Sequence, residues 1–187
     1  MKKVLLLLCS FAITSWLSAA SISWGTKSGP TAPKIGVSPA GGTLTNYMAY
    51  LCMGSTDGVL AQIRSNTWAA PTIGENGTAL RKNLNSSGVI LSSPESTLDS
   101  SLVAGTSYDF FLVIFDESKS YVMISSTLTK APFEGTQEPT SVVWGQTDGD
   151  FGATTGGWVS TAPVPEPTVL ALLALGVAGL ALRRKAA

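Results

Sequence analysis

Hydrophobic and polar residues follow one another along this chain in three regimes. Residues 4–17, VLLLLCSFAITSWL, and residues 168–182, TVLALLALGVAGLAL, are apolar runs without a charge. Between them, apolar and polar positions mix on the short periods of strands and turns. The clearest element of this middle region spans residues 107–130. Tyr108 to Phe115 is aromatic and β-branched, Asp116 to Ser120 is a polar turn, and Tyr121 to Leu128 returns with β-formers, which predicts a hairpin. Its first arm is apolar at nearly every position, the pattern of a strand covered on both faces, so Phe110 to Phe115 are expected in the core. Asp109 interrupts that arm at its start and is expected at a hydrogen-bonded edge rather than in catalysis.

Upstream, TLTNYMAYLCM at residues 43–53 predicts a second strand that sends Leu44, Tyr47, Tyr50 and Leu51 toward the core. In STDGVLAQIRSNTW, Val59, Leu60 and Ile63 fall on one face of a short helix that runs through Arg64, with Asp57 as its cap. A hairpin turned at Asp57-Gly58 is the alternative. LNSSGVILSS predicts a further short strand over Val89 to Leu91. An internal echo links SISWGTKSG, Ser21 to Gly29, with SVVWGQTDG, Ser141 to Gly149. Two strands carrying one turn motif are candidates to pair, first strand with last. Trp24, Trp68, Trp144 and Trp158 all sit beside Gly, Ser, Thr or Asn, in predicted strand-end or loop settings.

These elements predict a mainly β fold: a single β-sandwich-like domain over residues 21–162 with one short helix. Its 142 residues suffice for one domain with its own core. Within it, seven Lys and Arg against eleven Asp and Glu leave a net charge of −4. No basic stripe is present, so nucleic acid is not expected as a partner. The composition, rich in Ser, Thr, Gly and Asn, matches extracellular β domains. Cys52 is the sole cysteine of the domain, which excludes an internal disulfide and suggests a small buried apolar residue.

The two ends specify handling. Lys2 and Lys3, the apolar run and Ser18-Ala19-Ala20 form a signal peptide over residues 1–20, expected to be cut by signal peptidase between Ala20 and Ser21. Cys9 lies inside the apolar run after three leucines, unlike a lipoprotein cysteine. At the other end, the 15 residues of 168–182 predict a transmembrane helix of about 22 Å, short for a hydrocarbon core of about 30 Å. Arg183, Arg184 and Lys185 follow as a stop that remains in the cytoplasm. Ala171, Ala174, Ala178 and Ala181 share one helical face, a small-residue stripe suited to close docking against another membrane helix.

Val164, Pro165, Glu166 and Pro167, followed by a short Leu/Ala/Gly helix and the Arg183-Arg184 cluster, resemble the PEP-CTERM protein-sorting signal of Gram-negative bacteria, here over residues 163–187. The resemblance implies recognition at the inner membrane by an exosortase-type peptidase, removal of the tail, and delivery to the cell surface or extracellular polysaccharide. A similar tail also occurs on some ice-binding proteins.

Candidate chemistry in the domain is sparse. The chain has no histidine, which removes Ser-His-Asp and Cys-His catalysis and histidine zinc sites. No nucleotide-binding glycine loop follows a strand, and no cofactor is implied. Asp148-Gly149-Asp150, with Asp116-Glu117, offers oxygen ligands of the kind calcium takes, without the downstream glutamate of a calcium loop. The acids of the Asp148–Asp150 region are the basis of an alternative reading as a secreted carboxylate-dependent hydrolase. Thr43-Leu44-Thr45 and Thr127-Leu128-Thr129 raise ice binding, which needs a flat repeated array of such pairs. Trp68 and Trp158 are the candidate sugar contacts, since an indole can cover the apolar face of a pyranose. The sequence therefore leads to an exported, non-enzymatic surface or matrix protein with a structural, adhesive or glycan-binding domain.

Overall fold

The structure is a computed structural model that describes residues 20–29, 34–132, 140–145, 151 and 157–163. In chain order its elements are β1 (Ser21–Thr26), β2 (Met48–Met53), α1 (Val59–Arg64), β3 (Arg81–Asn83), β4 (Ser96–Thr97), β5 (Tyr108–Phe115), β6 (Tyr121–Ile124), β7 (Leu128–Lys130), β8 (Thr140–Trp144) and β9 (Val159–Ser160). The strands form two sheets. A smaller one has the order β4-β1-β8, a larger one β3-β2-β5-β6-β9, with β7 also paired to β5. The fold is mainly β, as expected, with a single α-helix among the described residues.

Both sheets bury side chains in one core. Ile22 and Trp24 of β1 and Val142 and Trp144 of β8 meet Ala49 and Leu51 of β2, Phe110, Leu112 and Ile114 of β5, and Met123 of β6. The alternate residues of the larger sheet point the other way. Cys52, Phe111, Val113 and Val122 form a second cluster, closed by Val59, Leu60 and Ile63 of α1. This three-layer arrangement is the reason β5 is apolar at nearly every position: one face meets the smaller sheet, the other the helix.

The predicted hairpin is present, with β5 paired antiparallel to β6 and β7. The return arm is not one strand. Its register shifts by one residue between Ile124↔Val113 and Leu128↔Phe110, a β-bulge. The buried Ser125 hydroxyl fills the gap, accepting the Leu112 amide at 2.7 Å and donating to Ser126 O at 2.9 Å. The Trp144 indole also donates to Ser126 O at 2.8 Å, so the bulge anchors the other sheet.

The echo motifs do pair, but in parallel and through β8, since β9 is the last strand. Trp24 lies opposite Val142 and Trp144 opposite Thr26, a two-residue stagger that keeps both indoles on the core face. Both are fully buried. Trp24 thus lies within a strand, not in the strand-end or loop setting expected. The glycines after them serve different ends. A Cβ on Gly25 would meet Ile90 O at 2.5 Å, whereas Gly145 has φ 82, a region open to glycine.

Three expectations need correction. The strand predicted from Thr43 begins at Met48, because Leu44–Asn46 is a 3-10 turn; Tyr47 and Leu51 are core residues as expected, while Tyr50 packs in the second cluster. Asp57 does not cap α1: Gly58, in the left-handed region, holds the N-cap position without a side-chain bond. Val89 to Leu91 is not a strand. Ile90 crosses β1 where Gly25 lets it approach and bonds to Thr26 alone, through the Thr26 amide and hydroxyl, both at 2.9 Å, so no ladder forms.

Candidate functional site

The outer face of the larger sheet carries a cleft of about 450 Å³. Its floor comes from β2 and β5: Tyr50 and Phe115 are diagonal neighbours on one face of the paired strands, with ring centroids 6.1 Å apart. Trp68 closes over both at 5.6 and 5.3 Å. Local backbone chemistry brings it there. After α1 the chain reverses at Asn66, φ 56, a conformation asparagine tolerates at helix ends. The amides of Thr67 and Trp68 then both donate to Gln62 O, at 2.9 and 3.1 Å, which satisfies a helix-end carbonyl and swings the indole back onto the sheet.

The walls are polar. Arg64 donates from Nε to Ser160 O at 3.2 Å. Thr161 is stitched to the β5–β6 turn by its amide to Ser120 O at 3.0 Å and its hydroxyl to Lys119 O at 2.9 Å. Ile63, Arg64, Asn66, Lys119, Thr161 and Pro163 complete the lining, which among the described residues contains no Asp, Glu, His or Cys. Such a surface can stack a ring and pair an anion. Among the described residues, none of its lining side chains is a carboxylate.

The two candidate tryptophans are not brought together. Trp68 belongs to the cleft, but Trp158 is a latch on the main core: its ring meets Tyr47 edge-on at 5.4 Å and its Nε1 donates to Gly36 O at 3.0 Å. The turn acids are likewise structural. Asp116 is buried and accepts from Ser38 Oγ, Ser118 Oγ and the Tyr121 amide at 2.8 to 3.1 Å. Glu117 accepts from the Thr43 amide and Asn46 Nδ2, bonds that lower its pKa. Asp109 is exposed and accepts from Thr129 Oγ1, hydrogen-bonded as expected but on a central strand rather than an edge. Of the two Thr-x-Thr pairs, one lies at a 3-10 turn and the other at the start of β7. Asp148 and Asp150 lie outside the described residues.

Sequence reasoning missed Arg64, Asn66 and Lys119 as cleft residues, and also Lys82. The Lys82 ammonium sits 4.8 Å from the Trp24 ring centroid and donates to four carbonyls, those of Trp24, Leu91, Ser92 and Pro94, at 2.8 to 3.0 Å. Burial lowers its pKa to about 8, leaving it mostly charged at neutral pH. Lys82 thereby ties β3 of one sheet to β1 of the other. The adjacent charges of Arg81 and Lys82 carry no sign of this, because the acceptors are backbone atoms.

At the start of the described residues, Ala20 is buried and its carbonyl accepts the Leu98 amide at 2.8 Å, with Ser21 opening β1. At the far end of the described residues, Pro163 forms part of the cleft wall, and there a family model begins: residues 163–185 match the PEP-CTERM protein-sorting motif. The chain carries a PEP-CTERM sorting signal. Val164, Pro165, Glu166, Pro167, Arg183 and Arg184, expected from sequence to form it, fall within the match but outside the described residues, as do the predicted signal peptide up to Ala19 and the predicted membrane helix. The PEP-CTERM motif implies processing by exosortase, a membrane peptidase, and export with surface or membrane-associated sorting. No curated protein and no solved structure matches this chain.

Proposed function

We propose that this PEP-CTERM protein is a non-enzymatic component of the cell surface or extracellular matrix whose β domain binds glycan in the Trp68 cleft. The observation that carries the reading is the convergence of Tyr50, Trp68 and Phe115 in one cleft with polar side chains at its rim. Tyr50 and Phe115 hold the half-buried Trp68 indole at interplanar angles of 77° and 53°; an indole so held is a surface of the kind a pyranose face covers, and the amide and cations around it suit hydroxyl recognition. The position of the cleft at Pro163, where the sorting motif begins, suits a domain whose ligand lies at the destination of that signal. Among the described residues no carboxylate lines the cleft, which favours binding over hydrolysis.

Protein recovered from the cell surface tests both parts. Its mass is expected to correspond to a chain cut upstream of Ala187 and lacking the signal peptide; an intact C-terminus at Ala187 overturns the processing. On a polysaccharide panel, binding is expected to fall about tenfold or more in Trp68→Ala, as loss of one stacking contact predicts. Equal binding by wild type and variant refutes the cleft as the site.

A further inference from the structure

We infer that the ligand of this cleft is an acidic polysaccharide, a carboxylated polymer whose charge is paired by Arg64 and Lys119 while a sugar ring lies on Trp68. The inference rests on the glycan reading above and names its chemical class. Among the described residues, two cations and no acid line the cleft, although the domain as a whole is net negative. The positive potential is therefore local and concentrated beside the aromatic floor.

The state of each cation points the same way. Arg64 has five N–H donors, and the bond from Nε to Ser160 O uses one and orients the guanidinium plane. Among the described residues, no acceptor faces its terminal nitrogens or the Lys119 ammonium. A fixed guanidinium with its terminal edge open matches the two oxygens of a carboxylate.

Lys119 supplies an independent observation. It occupies the left-handed region, φ 56, at the turn position between β5 and β6 where glycine is the easier residue. A non-glycine residue there costs on the order of 1 kcal/mol. Its amide donates to Asp116 O at 3.1 Å and its carbonyl accepts from Thr161, bonds that glycine would keep. The turn therefore has no conformational need for a lysine, and the cleft has a need for its charge. Stability is given up at this position for a cation beside the platform.

The test compares the full chain in detergent with Lys119→Gly, Arg64→Gln/Lys119→Gly and Trp68→Ala. The probes are polygalacturonate, a neutral β-glucan and vesicles containing anionic lipid, at low and high salt. Wild type is expected to bind polygalacturonate roughly tenfold more tightly than the neutral polymer, the effect of one charge-assisted hydrogen bond, and to lose that margin in high salt. Lys119→Gly is expected to melt no lower than wild type and to bind the acidic polymer more weakly. The double variant is expected to bind both polymers alike, and Trp68→Ala to weaken both. Equal wild-type affinity for acidic and neutral polymers overturns the charge inference and leaves the glycan reading standing. Binding to no polymer overturns both, as does binding confined to the anionic vesicles.

Discussion

Two tryptophans of this protein meet cations, under opposite conditions. Trp24 is fully buried between the sheets, its Nε1 donates to Ser96 Oγ at 2.9 Å, and the ammonium above it is satisfied by four carbonyls. Trp68 is half-buried on the outer face, and beside it Arg64 and Lys119 bring charge that the described residues do not pair, apart from the one bond from Arg64. The same two residue types therefore do different work. A cation whose donors are consumed by backbone ties pieces of chain together. A cation left with open donors beside an accessible ring is available to something outside the molecule. Residue type does not separate the cases; hydrogen-bond saturation does.

The strongest way to break the comparison is to remove the two rings. Trp24→Ala should cost about 3–5 kcal/mol, as expected for a large core aromatic, whereas Trp68→Ala should cost about 1–2 kcal/mol, in keeping with partial burial. Urea denaturation measures both, and equal losses would mean that the cleft ring is as architectural as the core ring. Next in size is Lys82→Met, which keeps the stem over Trp24 but removes the donors. A loss of about 2 kcal/mol is expected, because four carbonyls, two of them part-buried, lose a charged partner. A neutral result would show that water satisfies the carbonyls as well as the ammonium does.

The prediction with the smallest effect at neutral pH sharpens the boundary between core and cleft. Cys52 is buried under α1, and desolvation pushes its thiol up from 9.0 to about 12. In the unfolded chain the thiol ionises near 9, so between those values the unfolded state loses a proton that the folded state keeps. The thiol's contribution is complete below pH 9 and is lost as pH climbs toward 12, by at most about 1.4 kcal/mol per pH unit. Comparing the alkaline pH dependence of stability in wild type and Cys52→Ala measures it. A shallower dependence in the variant is expected, and identical slopes would place the thiol in contact with water.

How much of this was legible beforehand depends on how local the physics is. The β5–β6 hairpin could be read because its apolar run, polar turn and return are contiguous. The short helix could be read from Val59, Leu60 and Ile63, but its cap could not, since Gly58 adopts a backbone conformation that competes with Asp57 as the start. The pairing of the echo motifs was foreseeable from their likeness, whereas its parallel sense and two-residue stagger were not. The strand expected at Val89 failed because its backbone bonds are dispersed, Val89 to Asn85, Ile90 to Thr26 and Leu91 to Lys82. Trp68 and Trp158 looked equivalent in sequence. They differ because Gly36 and Tyr47 engage one, while the other caps a floor built from two strands.

The sequence alone determined the handling of this protein, because a sorting signal is a linear object: Val164 to Pro167 and Arg183-Arg184 are read by order and spacing, and the family match needed no fold. It also determined the β class, through periods of two to eight residues. The tertiary structure alone decided which side chains form a site. Tyr50, Arg64, Trp68, Phe115, Lys119 and Pro163 are spread over more than one hundred residues. They converge because β2 and β5 pair, α1 covers their outer face and Thr161 is stitched to the turn, three sets of long-range bonds that no local pattern encodes.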